Sequence, residues 1–528
     1  MTLDELKVDI DAYCRKNLPE KLEKVPTSKV IHDTTWGTNR FKTYEISIIN
    51  TPLFQRLRLV TQMGFANYVY PSARHSRFEH SLGVTILVEK MCKHINTDSE
   101  EISDNDIVAL RLAGLLHDIG HCLFSHTSEL VYSSLLENFI EEEFDDLAAV
   151  ASHEFLGYLI VTSKSFNTYF SLLMERDKFK VDLQEIALMI VGRTIDERKR
   201  YLTSFINGPF DADKIDYFSR DSHFSGIPAQ IDLDRLFYEI KKSDISKFAK
   251  EGSIVNDLTI GISGVTCVEQ IIFNKMFLYS SIYNHQKVES LDCMFKGVFE
   301  YIIDKKIEVK VFDKVLDFKN PVSFLYFTEY DFYSLSNSTK DEKLRQLIRN
   351  IIDRKLLKRS VTINKNTVES GVLGLASNIF STDANRLEKE KELRSLVKII
   401  HKEAGVDCEV SEIWIDIPKA PTLKEGSMPY VRVNKNSHKE FGKISDFFPF
   451  SQFQELYTQN KRSCYVFGPE KYLNEIAAAA KKIFSREYHI ELKDTAFKYG
   501  CNSDEYSSTL NDISAVTANS INTSLLRS

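Results

Sequence analysis

The sequence contains no run of about 18 apolar residues, so no segment reads as a membrane-spanning helix. Its eight cysteines (Cys14, Cys92, Cys122, Cys267, Cys293, Cys408, Cys464 and Cys501) include no Cys-x-x-Cys pair. That spacing excludes a zinc ribbon and a disulfide framework, and it fits the reducing cytoplasm. Positive charge is not in excess: the formal net charge is −7. Nucleic-acid binding is therefore not indicated, although basic pockets for phosphorylated small molecules are compatible with this balance. The amino terminus, "MTLDELKVDIDAYCRKN", has no apolar core and reads as no signal peptide. Only 20 glycines and 12 prolines occur, and both are scarce between about 76 and 300, as expected of a helical bundle. No internal repeat is visible.

What is present is a mainly α chain, too long for one core. Residues 1–28 read as a helical or mobile lead-in. Residues 29–320 read as a helical catalytic core that includes β-like pieces ("SKVIHD", "FANYVYP") and an amphipathic helix, "TPLFQRLRLVTQM". From 76 to 300 nearly every segment has helical character. Residues 321–404 continue as a helical extension, and 405–500 alternate as in a small α+β lobe for regulation or oligomerisation. The polar tail 501–528 reads as disordered.

Histidine is crowded. Seven of the 13 histidines, His75, His80, His94, His117, His121, His126 and His153, fall within about 15% of the chain, where chance would place about two. His94 sits where a helix would end and reads as a cap. The sharpest subset is His80, the adjacent pair His117-Asp118, and Asp213. Neighbours on a regular helix point about 100° apart, so His117 and Asp118 can share an ion only at a helix end, and Gly120 is the expected break. Two imidazoles and two carboxylates suit a divalent transition metal (Fe, Mn, Zn or Co) with open positions for water and substrate. A second His-Asp pair, His32-Asp33, lacks such company and reads as no metal site.

In "DADKIDYFSRD", at about 100° per residue, Asp213, Tyr217, Asp221 and Lys214 fall at roughly 0°, 40°, 80° and 100°. One helix face would then carry a metal ligand, a phenol, a second carboxylate and an ammonium. Asp216 points elsewhere and reads as structural.

The motifs "RHSRFEHSLGV", "LAGLLHDIGHCLFSH" and "DADKIDYFSRDSHFSGI" resemble those of the HD-domain deoxynucleoside triphosphate triphosphohydrolases, which include bacterial dGTPases and the sterile-alpha-motif-and-HD-domain dNTPase of vertebrates. The likeness is strong over roughly 29–300 and traceable to about 495. Residues 1–28 are too few for a sterile-alpha-motif domain. The resemblance implies hydrolysis at the α-phosphorus of a dNTP, giving deoxynucleoside and inorganic triphosphate, with Mg on the nucleotide phosphates. It implies His80, His117, Asp118 and Asp213 as metal ligands, Arg77 and Lys214 on phosphates, and His121 against the α-phosphate. His126 would give a proton to the leaving 5′-oxygen, oriented by Glu129, with His153 behind. Tyr217 would lie under the sugar, with Asp221 and Gln62 on its 3′-hydroxyl. Lys275, Tyr279, Tyr283 and Asn284 would face the nucleotide; Lys275 and Tyr279 stand where the vertebrate family carries Arg and His.

For regulation, the resemblance implies nucleotide activator pockets built from Lys29, Val30, His32, Asp33, Asn50, Gln55 and Arg58, in a homo-oligomer, a tetramer. Asn50 replaces an Asp that reads guanine in the vertebrate family. An amide donates as well as accepts, which leaves the activator's identity open. Two other readings stand beside this one: an HD phosphohydrolase for a monophosphate, cyclic nucleotide or alarmone, and a non-catalytic nucleotide sensor.

Overall fold

A computed structural model describes residues 1–96, 102–144, 150–250, 253–369, 386–418, 428–435, 438–461 and 463–497. The tail expected over 501–528 lies outside the described residues. The chain is mainly helical and divides into two units. The first comprises 1–281, 308–334 and 422–454; the second comprises 282–307, 335–421 and 455–528.

In the first unit, the helix Arg77–Ile95 begins with a capping box between Ser76 and Glu79 and is buried over most of its circumference. An all-round apolar helix belongs at the centre of a bundle. It packs against Asp104–Leu116, which Ser103 caps. Gly114 permits that approach, since a Cβ there would lie 3.3 Å from Val84. The helix Ala212–Ser225, capped by Asp211 and closed by Gly226 at φ +73°, packs on the same central helix. A Cβ on Gly83 would collide with Asp216, which fixes how close these two helices come. His126–Phe144 and Ser152–Thr162 complete the surroundings of the histidines. The lead-in is a packed helix, Leu3–Asn17, which buries Leu6, Ile10, Tyr13 and Cys14.

Several expectations are corrected. "FANYVYP" is not β: Gly64–Tyr68 is a 3₁₀ turn, started by Gly64 at φ +51° and anchored by Phe65 stacked on Phe124 at 4.3 Å. The amphipathic helix shortens to Pro52–Gln55 followed by a 3₁₀ turn, Arg56–Leu59, and Val60 is extended. The helical stretch 76–300 holds two strands, Ile240–Asp244 and Asn256–Gly261. These join Tyr430–Lys435 and His438–Lys443 in one four-stranded sheet, with Asn256–Gly261 parallel to Tyr430–Lys435 and the other pairings antiparallel.

In the second unit, Lys358–Ile363, inside the stretch read as helical, pairs with Cys464–Gly468, which also pairs with Trp414–Asp416. The helices Arg386–Ala404 and Leu473–Tyr488 cover this sheet with Val397, Ile400, Ile476, Ala480 and Phe484. The strands of 405–500 therefore serve two sheets, one in each unit.

Candidate metal centre and active site

The helix Asp104–Leu116 stops at Leu116, and His117 to Gly120 form a turn. Gly120 is there for space, not for a left-handed backbone. A Cβ would sit 2.1 Å from the His153 carbonyl oxygen and 2.4 Å from the Gly157 nitrogen, so its absence lets the helix Ser152–Thr162 press against the turn. Arg56 clamps the turn by donating to the carbonyls of Ile119 and His121.

This turn carries His117 and Asp118 to His80 and Asp213. His80 Nε2 lies 3.2 Å from His117 Nε2, 2.9 Å from Asp213 Oδ1 and 3.5 Å from Asp118 Oδ2. His117 Nε2 lies 3.3 Å from Asp118 Oδ1 and 3.7 Å from Asp213 Oδ1. Hydrogen bonds on the far side of each ring decide which nitrogen is free. His80 Nδ1 is 2.7 Å from Asp216 Oδ2, and His117 Nδ1 is 2.9 Å from the Gly114 carbonyl oxygen. Both partners are acceptors, so each Nδ1 carries the proton and each Nε2 turns its lone pair inward. Two lone pairs facing each other at that separation demand a positive charge between them. Burial lowers the His80 pKa, but Asp213, Asp216 and Asp118 overcome it and raise it to about 10. Asp118 is held well below the usual carboxylate range: burial opposes this, and Arg77, His117 and His80 outweigh it. The donor set fits a divalent cation, which would take the place of that proton.

Asp216, read as structural from its helix angle, is fully buried and also orients His80. It also accepts from Arg220 at 2.8 and 2.9 Å and from the Trp36 indole N–H. Arg220, fully buried, reaches Asp33 Oδ2 at 3.0 Å. Asp33 is therefore committed to this buried pair and is not a surface residue. The signal for Asp216 and Arg220 was their i,i+4 spacing; Trp36 and Asp33, distant in sequence, carried none.

A second group gathers beside the first. Glu129 Oε1 lies 2.6 Å from His153 Nδ1, 3.3 Å from His126 Nδ1 and 3.5 Å from His121 Nδ1. His153 is thus its nearest histidine, and it stacks on His121 at 3.8 Å. His126 has 59% of its side chain exposed, whereas His121 is fully buried. Burial, with the charges of Arg77 and neighbouring histidines, pushes the His121 pKa down, so its ring is neutral. Phe124 and Ser125, just before His126, both adopt the left-handed backbone at φ 53° and 52°. Such strain persists where the surroundings over-determine it. Here Glu329 accepts from the Phe124 and Thr61 N–H groups, and Ser125 bonds the Thr61 carbonyl and Arg77.

Arg77 donates to Asp118 at 2.7 Å, and Lys214 to Asp211 and Gly208. Lys275 is lowered to about 8, by burial first and then by the Lys214 charge, so two ammonium groups share one neighbourhood. Tyr217 and Tyr279 interact there, both pushed up mainly by burial. Asp221 and Gln62 are buried; Tyr283 and Asn284 belong to the second unit.

The activator-segment residues divide. Lys29, Val30, Asn50 and Arg58 are exposed. His32 bonds Thr38, Gln55 bonds the Ile49 carbonyl and accepts from Arg58, and Arg58 lies over Phe78 at 3.6 Å. Asn50, with Lys16, Ser47, Thr51 and Tyr169, lines a cavity of 180 Å³.

Comparison with known families places this geometry. The HD domain matches residues 77–202, and the HD associated region matches residues 231–494. The chain belongs to the HD-domain family. An uncharacterized protein of Methanocaldococcus jannaschii is 28% identical over 459 residues, 82% of each chain. The deoxynucleoside triphosphate triphosphohydrolase SAMHD1 homolog of Dictyostelium discoideum is 27% identical over 384 residues, 70% of this chain and 68% of that protein. Human deoxynucleoside triphosphate triphosphohydrolase SAMHD1 is 28% identical over 292 residues, 52% of this chain and 45% of its own length. The HD family implies a divalent metal and phosphohydrolase chemistry; among the described residues two groups could hold such an ion, His80 with His117 and Asp213, and His121 with His126, Glu129 and His153. Among the described residues no helix is long and apolar enough to cross a membrane.

Proposed function

We propose that the protein hydrolyses deoxynucleoside triphosphates to deoxynucleoside and inorganic triphosphate. The observation that carries this reading is the strip on Ala212–Ser225: Asp213 at the His80–His117 cluster, then Tyr217 and the buried Asp221, with Lys214 on the same helix and Lys275 lowered by burial first and then by the Lys214 charge. One helix thereby offers a metal, a ring for a sugar and an acceptor for a hydroxyl, with phosphate-binding charge beside them. A monophosphate or cyclic nucleotide leaves the two lysines without a purpose. The names of the Dictyostelium and human relatives point the same way.

His80, His117, Asp118 and Asp213 would hold the metal, which when bound supplies Lewis acidity at the α-phosphate and lowers the pKa of water. Arg77, anchored on Asp118, and Lys214 and Lys275 bind the phosphates and offset the charge that builds on them. Water forms a bond to the α-phosphorus and gives up a proton to solvent as the bond from phosphorus to the 5′-oxygen breaks. His126 delivers the proton to that oxygen, and Glu129 orients His126. His121, neutral and buried, presents a ring nitrogen to the α-phosphate. The reading extends to a nucleotide activator at the exposed part of the Lys29–Arg58 segment and to a tetramer.

The test is incubation of metal-replete protein with each dNTP, singly and mixed, with chromatographic separation of products. Deoxynucleoside plus triphosphate, abolished in His117→Ala, is expected, and turnover in mixtures alone would expose the activator. Intact dNTPs in every mixture would refute the proposal.

A further inference from the structure

His75 is the buried histidine of the crowded segment that no step above uses. Its side chain is fully buried, and its Nε2 lies 2.8 Å from Asp221 Oδ1. A carboxylate partner makes Nε2 the proton donor. The ring stacks on Phe224 at 4.6 Å and 22°, so its orientation is fixed from the face as well as the edge. The same residue reaches the second sugar-facing side chain by another route. The His75 carbonyl accepts from the Gln62 N–H at 2.9 Å, and an antiparallel bridge joins Thr61 to Ser76 beside it. Gln62 is itself buried, and its Oε1 has no hydrogen-bond partner among the described residues. A buried acceptor left open in this way calls for a donor from a ligand. Asp221 and Gln62, far apart in the chain, thus both hang on one residue.

We propose that His75 is a positioning residue for the sugar: it aims Asp221 through its imidazole and Gln62 through its backbone, and so sets the preference for a nucleotide with a 3′-hydroxyl. This rests on the dNTP reading above. His75 does not touch the reacting atoms; it acts by holding the Asp221 carboxylate in one rotamer. A side-chain substitution removes only the Asp221 arm, since the Gln62 arm is backbone.

The experiment is the ratio of kcat/KM for a dNTP to that for its 2′,3′-dideoxy analogue, in wild type, His75→Phe and His75→Gln. Phenylalanine keeps the stack on Phe224 and loses the donor; glutamine keeps an N–H for Asp221. The ratio should fall about tenfold in His75→Phe, the scale of one hydrogen bond to a charged group, with turnover of the dideoxy analogue little changed, and should recover in His75→Gln. Asp221→Asn should lower the ratio by itself, and adding His75→Phe to it should lower it no further. Equal losses for both substrates in both His75 variants would make His75 merely structural and overturn the inference while leaving the dNTP reading intact. If His75→Phe does not fold, a ratio in soluble His75→Gln as low as in Asp221→Asn would equally overturn it. Wild-type protein that turns over no dNTP would instead overturn the reading and the inference with it.

Discussion

At the scale of single residues, the candidate centre is organised by what lies behind its imidazoles. Asp216 fixes the protonated nitrogen of His80 and is itself fixed by Arg220 and Trp36. Partners of this kind usually change metal affinity 10–100-fold when removed. Asp216→Asn is therefore expected to weaken Mn²⁺ binding by about that factor, read by calorimetric titration. Unchanged affinity would mean that the carboxylate only neutralises Arg220. That His80, His117, Asp118 and Asp213 come together was legible in the sequence, because chemistry restricts which residue types suit one cation. Asp216 has the structural place its helix angle implied, and the partner it holds, the far nitrogen of His80, left no trace in the spacing.

At the scale of elements, the turn His117–Gly120 is held by close packing. Gly120→Ala would drive a methyl against the His153 carbonyl and the Gly157 nitrogen, both backbone atoms with little freedom to move. A cost of roughly 1–3 kcal/mol is expected, seen as a lower Tm, and activity should fall as well because His153 and His117 move apart. A variant with wild-type Tm would show that the helix Ser152–Thr162 gives way easily. The sequence marked Gly120 as special but for a different reason, since a close approach between distant segments leaves no local signature. Short turns fared similarly. "FANYVYP" has strand composition, yet the stack of Phe65 on Phe124 draws it into a 3₁₀ turn.

At the scale of the molecule, most helices and several strands, such as Ser28–Asp33 and Cys464–Gly468, were readable from local pattern, and the pairing of distant strands was not. The strand Asn256–Gly261 pairs with Tyr430–Lys435 across a long stretch of chain, and no local pattern encodes such a partner. The second unit has an electrostatic feature of its own. Its helix Gln286–Asp304 buries Glu289 near Asp416, with Asp292, Lys296 and Cys293 around them; Cys293 Sγ lies 3.6 Å and Lys296 Nζ 3.8 Å from Asp416 Oδ1. Burial, then Asp416 and Asp292, push the Glu289 carboxyl well above its usual range, and Lys296 opposes them. A carboxyl raised in the folded state favours folding below its unfolded pKa and loses that contribution as pH rises toward its folded pKa. Glu289 should therefore pull Tm down as pH rises above about 5, so Glu289→Gln should gain on wild type with rising pH and exceed it at pH 8. An identical slope in the variant would exclude Glu289 as the source.

The proposed hydrolysis proceeds by attack at the α-phosphorus with departure of the 5′-oxygen. Turnover of a dNTP in heavy-oxygen water, followed by mass spectrometry of both products, tests it most directly. The label is expected in the inorganic triphosphate and absent from the deoxynucleoside. Label in the deoxynucleoside, or release of pyrophosphate or orthophosphate in place of triphosphate, would contradict it.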